Sequence, residues 1–309
     1  MEKKGGEMKR VVVTGCAGFI GSHLVEHLVN MGVYVVGVDN LSSGKEENMD
    51  SFIDNKNFLF YRGDVTNYGN LKFVFSDIDT VFHLAASKKT ICLKDPMRDL
   101  EVNAKGTYNM LLLSEHFGVK KFVHASTGSV YGESVNEVQD ENFHISPCSF
   151  YGISKFAGER YVNLFNKHRG LNTTILRFHH VYGSKQDVGE NGGVMAIFSH
   201  KFKHDEPVTI FGDGKQQRYF THVSDVVDAC IRSVTNPISE GQTYNVACDS
   251  PIGLLTATEI LADTLGVKPV IEFEDWTVGD IKYFNTSNNK IKKELGMRFK
   301  KFTEGVKEL

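Results

Sequence analysis

Short apolar runs alternate with stretches of helical periodicity through the first half of the chain. Runs rich in β-branched and aromatic residues predict strands at Arg10–Thr14, Val33–Val38, Phe58–Tyr61, Thr80–Leu84, Lys121–Ala125 and Thr173–Arg177. Helical spacing of apolar residues predicts helices between them, at Ser22–Met31, Asn67–Phe75, about Met97–Phe117 and Tyr151–His168. This alternation predicts an α/β fold, in which a doubly wound parallel sheet carries helices on both faces.

The pattern changes after Phe178. The later chain predicts helices at Val194–Lys203, Val223–Val234, Leu254–Leu265 and Asn288–Leu295, and strands at Val208–Phe211 and Gln242–Val246. We therefore expect residues 10–178 to form a first domain and residues 179–309 to form a smaller α/β lobe. Parts of the segment 218–246 are expected to return to the first domain.

Composition narrows the class of protein. The 309 residues are 41% hydrophobic and 24% charged, with a formal net charge of −3, as is ordinary for a soluble globular enzyme. The balance of charge gives no basic field that would call for nucleic acid. No apolar run approaches the roughly 18 residues that a membrane helix needs, so no membrane partner is expected. The twelve histidines show no metal-ligand spacing, so we expect no metal site.

The cysteines and the first residues bear on location. The five cysteines are scattered and form no C-x-x-C pair, which favours a reducing compartment and a cytoplasmic protein. Residues 1–9 are charged and contain no apolar core, so we expect a disordered tail and not a signal peptide.

A glycine-rich segment follows the first predicted strand and opens the first predicted helix. Gly15 permits a tight turn, Gly18 allows the backbone to approach a phosphate, and Gly21 allows the helix to pack closely on the strand. The amides at the helix N-terminus then favour a pyrophosphate. This context is typical of the Rossmann-type dinucleotide-binding loop, although a structural turn could carry the same glycines.

Two aspartates at strand ends indicate which dinucleotide binds. Asp39 ends the second strand, 18 residues after Gly21, where a carboxylate accepts hydrogen bonds from ribose hydroxyls and repels a 2′-phosphate. The loop and Asp39 together predict NAD as the cofactor. Asp64, after the third strand, could accept from the adenine amino group or could cap a helix before Asn67.

A second group of residues has the chemistry of proton transfer. Tyr151 and Lys155 are four residues apart at the start of a predicted helix and so share one face. A phenol with a pKa near about 10 is a poor base at neutral pH, so we expect the Lys155 ammonium and a nicotinamide ring to lower the Tyr151 pKa. Thr127 follows the fifth strand and could bind the same substrate oxygen, or could simply cap a turn.

These motifs together resemble one family. The chain is identified as an extended short-chain dehydrogenase/reductase of the NAD-dependent epimerase/dehydratase group, whose members act on nucleotide sugars. The matching segments run in family order from residue 15 to residue 246: GCAGFIG (15–21), DNL (39–41), DV (64–65), HLAA (83–86), VNAKGT (102–107), STGSVYG (126–132), PCSFYGISK (147–155), LRFHHVYG (176–183), IFGDGKQQRYF (210–220) and YNV (244–246).

The resemblance implies roles for individual residues. Thr127, Tyr151 and Lys155 would form the catalytic triad. The implied NAD-binding residues are Gly15, Gly18, Phe19, Ile20, Gly21, Asp39, Asn40, Asp64, Val65, Leu84, Ala85, Lys88, Asn103, Tyr151 and Lys155. Of these, Lys88 could equally be a solvated loop lysine. The nucleotide sugar would bind in the smaller lobe, and the family implies a homodimer built from helices such as 97–117 and 151–168.

The residues after Thr127 bear on the reaction. Family dehydratases and uronic-acid decarboxylases resemble T-D-E-V-Y-G and T-S-E-V-Y-G, whereas this chain has Gly128 and Ser129. Neither residue supplies a carboxylate for acid–base work, so a 4-epimerase of the UDP-glucose/UDP-galactose type is expected. The alternatives are a 4-epimerase acting on a UDP-uronic acid or a UDP-N-acetylhexosamine, and a nucleotide-sugar dehydrogenase or reductase.

The implied substrate contacts depart from the family pattern. The set comprises Thr127, His180, Arg218, Asp280 and Phe284. His180 replaces the usual Asn and could be a packed residue or a substrate contact. Arg218 matches an arginine that binds the nucleotide diphosphate, but Tyr219 replaces the Asp that usually follows it. An arginine expected just before Gly279 is absent.

Phe284 lies where some 4-epimerases carry a residue that limits sugar size. A bulky ring there would favour an unacetylated hexose. Its other interpretation is a core aromatic residue.

Overall fold

The computed structural model describes residues 8–87, 89–134, 136–189, 192–276 and 281–309. Lys88 and Asp280, which the sequence placed in the site, and most of the predicted tail lie outside the described residues.

Parallel pairing builds one sheet through the middle of the described chain. Its strands are β1 (Arg10–Thr14), β2 (Tyr34–Asp39), β3 (Phe58–Arg62), β4 (Thr80–His83), β5 (Lys121–Thr127), β6 (Thr173–Phe178) and β9 (Gln242–Val246). The order across the sheet is β3-β2-β1-β4-β5-β6-β9, and every neighbouring pair is parallel. The predicted α/β fold with a doubly wound parallel sheet is confirmed. The last strand comes from beyond residue 178.

The helices of the described ranges are α1 (Phe19–Asn30), α2 (Tyr68–Leu71), α3 (Lys89–Lys94), α4 (Pro96–Leu100), α5 (Thr107–His116), α6 (Phe150–Arg169), α7 (Val194–Lys203), α8 (Val223–Thr235), α9 (Leu254–Leu265), α10 (Asn289–Leu295) and α11 (Phe302–Gly305). Of these, α1, α8 and α10 pack on one face of the sheet, and α2, α5 and α6 pack on the other. Side chains alternate along β1, so Val11 and Val13 pack with α1 and α8, whereas Val12 packs with α5 and α6.

A smaller layer follows the sheet in sequence. β7 (Val208–Phe211) pairs in parallel with β11 (Ile271–Glu274), and β8 (Gln217–Arg218) pairs antiparallel with β10 (Ile252–Gly253). Apolar residues of α7, α9 and β7 form a separate core. The division of the chain at residue 178 stays a prediction.

Several elements differ from the sequence prediction. The predicted helix Asn67–Phe75 is α-helical only over Tyr68–Leu71 and continues as a 3₁₀ turn over Lys72–Val74. The predicted helix 97–117 is helical without a gap over residues 96–116, but it contains a π-helical turn, Glu101–Gly106, between α4 and α5. The short strands β8, β10 and β11 were not predicted; two residues, as in β8 and β10, carry too little periodicity.

None of the helices in the described ranges is both long and apolar enough to cross a lipid bilayer. Within the same ranges, no three His, Cys, Asp or Glu side chains come together so that they could hold a metal ion.

Candidate cofactor and substrate site

A cavity of about 710 Å³ opens at the carboxyl ends of the sheet strands. This is where ligands bind in open α/β sheets. The predicted residues that line it are Gly15, Gly18, Phe19, Ile20, Gly21, Asp39, Asn40, Asp64, Val65, Leu84, Ala85, Tyr151, Lys155 and His180. The remaining described candidates, Asn103, Thr127, Arg218 and Phe284, are not among its lining residues.

The glycine-rich loop forms a cradle that side chains would fill. Gly15 has φ +74°, and a Cβ atom there would lie 2.9 Å from the Ala85 amide nitrogen. A Cβ atom on Gly21 would lie 1.9 Å from the Gly15 carbonyl oxygen, so α1 could not start so close to β1. Gly18 is the N-cap residue of α1 and has no side chain that could accept hydrogen bonds from the first-turn amides. These amides are therefore available to bind an anion. The loop therefore fits a pyrophosphate.

Asp39 ends β2 at the cavity wall. Its Oδ2 accepts a hydrogen bond from the Ala17 amide at 3.0 Å, and its Oδ1 accepts one from the Leu41 amide at 2.8 Å. Burial raises the pKa of the carboxyl, and these amide bonds act against the rise. Because a carboxylate has about four acceptor positions, two remain to receive ribose hydroxyls.

Asp64 is tied to three neighbours. Its Oδ1 accepts from the amide and the hydroxyl of Thr66, and its Oδ2 accepts from Asn40 Nδ2 at 2.9 Å and Arg98 Nη2 at 2.6 Å. Although burial would raise the pKa of this carboxyl, these hydrogen bonds hold it well below its usual range. Asn67, and not Asp64, caps α2. Arg98 also lines the cavity and was missed, because no local pattern links it to Asp64.

Helix α6 presents the proposed reactive side chains. Ser149 caps it, with its Oγ accepting from the Gly152 amide at 3.1 Å. Tyr151, Lys155 and Glu159 are spaced by four residues and so lie on one face. Tyr151 and Lys155 reach the cavity, and Glu159 is buried behind them.

Burial dominates the electrostatics of this pair in the protein alone. Burial, together with the negative charge of Asp99, raises the pKa of Tyr151 to about 12, although Thr127 acts in the opposite direction. Burial lowers the pKa of Lys155 to about 8, and the charges of Glu159 and Asp99 limit the fall. The lowering of the Tyr151 pKa by Lys155 together with a nicotinamide ring stays a prediction.

Thr127 has the turn-capping role that the sequence allowed, and its binding of a substrate oxygen stays a prediction. It ends β5, and its Oγ1 accepts from the Ser129 amide at 3.1 Å, which caps a short 3₁₀ turn over Gly128–Val130. The same side chain acts to lower the pKa of Tyr151. Thr127 therefore lies next to the phenol.

A buried ion pair anchors α6 to the sheet. Arg177 on β6 donates to Glu159 through Nε at 2.9 Å and through Nη2 at 2.7 Å. Ser126 on β5 donates to the same carboxylate at 2.5 Å. Arg177 Nη1 also donates to the Tyr131 hydroxyl, which in turn donates to Asn245 on β9. Sequence spacing gave no signal for this network, because its members come from separate elements.

Asn103 lies behind the cavity wall, in the π-helical turn. Its Oδ1 accepts from the Ser87 amide at 2.9 Å, and its Nδ2 donates to Asp99 at 2.9 Å and to Ser154 at 3.0 Å. π-Helical turns often mark functional sites. Here the side-chain amide of Asn103 forms hydrogen bonds with three separate segments of the chain.

The predicted substrate residues converge on one aromatic cluster. His180 has φ +36°, lines the cavity, and receives the Tyr219 amide on Nδ1 at 3.3 Å. Phe284 is buried and meets the His180 ring edge-on at 4.7 Å between centroids. The Arg218 guanidinium lies 5.7 Å from the centre of the Phe284 ring. Phe284 is thus a core aromatic residue that also supports two candidate contacts.

His179 and Tyr219 are structural. His179 is buried, and burial lowers its pKa to about 3, so the ring is neutral. Tyr219 is buried, and its hydroxyl accepts from the Thr286 amide at 3.1 Å. Tyr219 therefore fills the family's Asp position with a packed ring.

A polar loop after β6 reaches across the cavity to the loop after β2. Asp187 pairs with Lys45 at 3.1 Å, and both residues line the cavity. Lys185 pairs with Glu26 at 2.8 Å, and the Ser184 carbonyl lies 2.9 Å from a ring nitrogen of His23 on α1. These contacts join the later chain to α1 and to the loop after β2.

The loop, the start of α1 and Asp39 define a Rossmann-type dinucleotide-binding protein, and comparisons with known proteins agree. A profile of the NAD dependent epimerase/dehydratase family matches residues 11–247. A UDP-glucose 4-epimerase of Mycolicibacterium smegmatis is 35% identical over 293 residues, covering 93% of this chain and 92% of the relative.

Solved structures are similar over nearly the whole chain. The UDP-glucose 4-epimerase of Thermotoga maritima, solved with UDP-glucose, superposes with a TM-score of 0.91 and 36% identity over 96% of each chain. The UDP-glucuronic acid 4-epimerase of Bacillus cereus, solved with UDP-glucuronic acid and NAD, gives 0.90 and 29% over 97% of each chain. The chain belongs to the NAD-dependent epimerase/dehydratase family, and the predicted cofactor, NAD, is confirmed.

Glu159→Gln should lower the free energy of unfolding by about 3–5 kcal/mol, because it leaves the buried Arg177 without its counter-charge. Urea unfolding measures this loss. The double variant Glu159→Leu/Arg177→Met should recover most of it, since neither charge remains. A loss below about 1 kcal/mol, the range of exposed pairs, would show that the pair does not anchor α6.

Proposed function

We propose that this protein is an NAD-dependent nucleotide-sugar 4-epimerase of the UDP-glucose/UDP-galactose type. The observation that carries the proposal is the arrangement at the end of β5. Thr127 lies beside Tyr151 and acts to lower its pKa, and Lys155 lies one turn further along the same face of α6. The turn after Thr127 supplies no carboxylate.

Packing also opposes a carboxylate at that turn. A Cβ atom on Gly128 would lie 2.2 Å from Cε1 of the buried His179 ring. An acidic side chain at residue 128 would therefore displace His179. This supports epimerisation over the dehydration and decarboxylation that family members with acidic residues at 128 or 129 carry out.

The side chains divide the chemistry of C4 between them. Bound NAD supplies a reversible hydride acceptor and a positive charge beside the phenol. Tyr151 takes the proton from the C4 hydroxyl and later returns it, while Thr127 holds the same oxygen. The Lys155 ammonium stabilises the phenolate form of Tyr151. Because its pKa is about 12 in the protein alone, with Lys155 already in place, Tyr151 would act as a base only when the positive charge of bound NAD also faces it.

The nucleotide half of the substrate would lie near Arg218 and His180. A guanidinium is planar and suits diphosphate oxygens. Arg218 is half-buried, with Nη1 donating to the carbonyls of Gln217 at 2.9 Å and Lys282 at 3.2 Å, so its position is fixed. The Phe284 ring next to it supports a preference for an unacetylated hexose.

A panel of UDP-, dTDP-, CDP- and GDP-sugars tests the substrate. We expect inversion at C4 of UDP-glucose and UDP-galactose, observed by NMR, without accumulation of NADH. Inversion only of a UDP-uronic acid or a UDP-N-acetylhexosamine would favour that alternative. Net NADH formation would show a dehydrogenase.

Tyr151→Phe should lower the turnover number at least about a hundredfold, since general acid–base catalysis contributes about 10²–10⁴-fold. NAD should remain bound, because the glycine cradle is unchanged. Tyr34→Phe, which removes a hydroxyl at the amino end of β2, is the matched control and should retain activity. Turnover of Tyr151→Phe at the rate of the control would contradict the proposed role.

We also propose a homodimer in the cytoplasm. Tyr108 on α5 and Tyr161 and Leu164 on α6 are exposed apolar residues, and the two tyrosine rings lie 5.2 Å apart. Such a patch favours association. The five cysteines have no disulfide partner, which supports a reducing compartment.

Leu164→Glu should make the protein monomeric, because it places a charge in the proposed contact. Light scattering after size exclusion measures the mass. Ile238→Glu, at a comparably exposed residue outside α5 and α6, should leave the dimer intact. If Leu164→Glu has the same mass as the unsubstituted protein, the proposed surface is wrong.

A further inference from the structure

Asp99 is a buried carboxylate that the mechanism above does not use. It lies in α4, just before the π-helical turn, and only 1% of its surface is exposed. Burying a carboxylate is costly unless other groups compensate. A carboxylate buried near the proposed reactive residues is a candidate for a functional role.

Hydrogen bonds connect Asp99 to the start of α6. Its Oδ1 accepts from Asn103 Nδ2 at 2.9 Å, and the same nitrogen donates to Ser154 Oγ at 3.0 Å. Ser154 in turn donates to the Tyr151 carbonyl oxygen at 3.1 Å. A displacement of Asp99 would therefore be transmitted to the turn that carries Tyr151 and Lys155.

Asp99 also acts on both side chains through its charge. Its negative charge raises the pKa of Tyr151 and the pKa of Lys155. Burial raises the pKa of Asp99, and the charge of Lys155 limits that rise. No arginine or lysine with a described side chain lies within ion-pair distance of Asp99. Its interaction with Lys155 therefore acts over a longer distance than an ion pair.

The other titratable groups around Lys155 lie on α6, β4 and β5. Glu159 on α6 faces it but is engaged by two hydrogen bonds from Arg177 on β6. His83 on β4 and His124 on β5 also face it, and burial keeps both rings neutral by lowering their pKa values.

On the side of Tyr151, the Cys92 thiol of α3 and the Thr127 hydroxyl of β5 are the further neighbours. Neither neighbour is a cation. Asp99 is therefore the buried carboxylate near this pair that is not neutralised by an arginine.

We propose that Asp99 is a positioning residue, which acts as the buried counter-charge of Lys155 and, through Asn103 and Ser154, fixes the turn that carries Tyr151. The proposal rests on the proposed function only for its effect on turnover. The proposed effect of Asp99 on the pKa of Lys155 does not depend on which reaction the protein catalyses. With Asp99 charged, Lys155 keeps its proton at neutral pH although it is buried. Without that charge, Lys155 should lose its proton at lower pH.

The direct test is the titration of Lys155 in Asp99→Asn, which removes the charge and keeps the shape. NMR of protein with isotope-labelled lysine follows the ammonium, and Lys155→Met assigns the signal. The unsubstituted protein should show a midpoint near 8. In Asp99→Asn, we expect a midpoint about one pH unit lower. Asp95→Asn, which removes an exposed charge at the cap of the same helix, should leave the midpoint unchanged.

Turnover gives the second readout. The alkaline limb of the pH profile of kcat should move to lower pH in Asp99→Asn by the same amount as the Lys155 midpoint, with a small effect on KM. A merely structural role would lower kcat at every pH without moving the limb. Asp99→Ser removes the charge with a smaller side chain and provides the same comparison if Asp99→Asn does not fold.

An unchanged Lys155 midpoint in both folded variants would overturn the proposal. A shifted midpoint in a protein that turns over none of the sugars tested would leave the role of Asp99 standing and refute the proposed function. The two failures are therefore distinguishable.

Discussion

The ion pair between Glu159 and Arg177 is the interaction on which the site depends. Taking two charges out of water is costly, and geometry must compensate for it. Here the guanidinium donates twice to one carboxylate, at 2.9 and 2.7 Å, and a serine of the next strand donates to it as well. The pair holds the middle of α6 against the sheet, so Lys155 and Tyr151, one and two turns earlier, have fixed positions above it.

The two halves of the site are built differently. The cofactor half is open, with a glycine cradle and the start of α1 at the carboxyl end of the sheet. The proposed sugar half is packed, with the Phe284 ring meeting His180 edge-on and the Arg218 guanidinium beside Phe284. Under the proposed mechanism, the cofactor is retained through each cycle and the keto form of the sugar must turn over, and these place different demands on the protein. The open half suits the first demand, and the aromatic cluster limits the space for the second.

Local features were predictable from the sequence because their physics is local. The strand positions, the glycine loop, Asp39 and the four-residue spacing of Tyr151 and Lys155 each follow from neighbours along the chain. The contacts that hold them were not predictable. Arg98 reaches Asp64 across 34 residues, and Lys121 on β5 hydrogen-bonds Ser239 across 118.

The raised pKa of Tyr151 in the protein alone was not predictable for a related reason. A lysine one turn from a phenol should lower its pKa, but the outcome depends on burial and on Asp99, which the sequence did not place nearby. The π-helical turn that brings Asn103 and Asp99 to α6 interrupts a helix that periodicity predicted as continuous. A motif therefore identifies the reactive residues, but side chains from separate elements set the pKa values of those residues.

Deuterium at C4 of UDP-glucose tests the central claim, which is that hydride leaves C4 and returns within one closed site. We predict that the UDP-galactose formed in ordinary water keeps the deuterium at C4, as measured by NMR. Loss of the label to solvent, or its transfer to a second sugar molecule, would contradict the account.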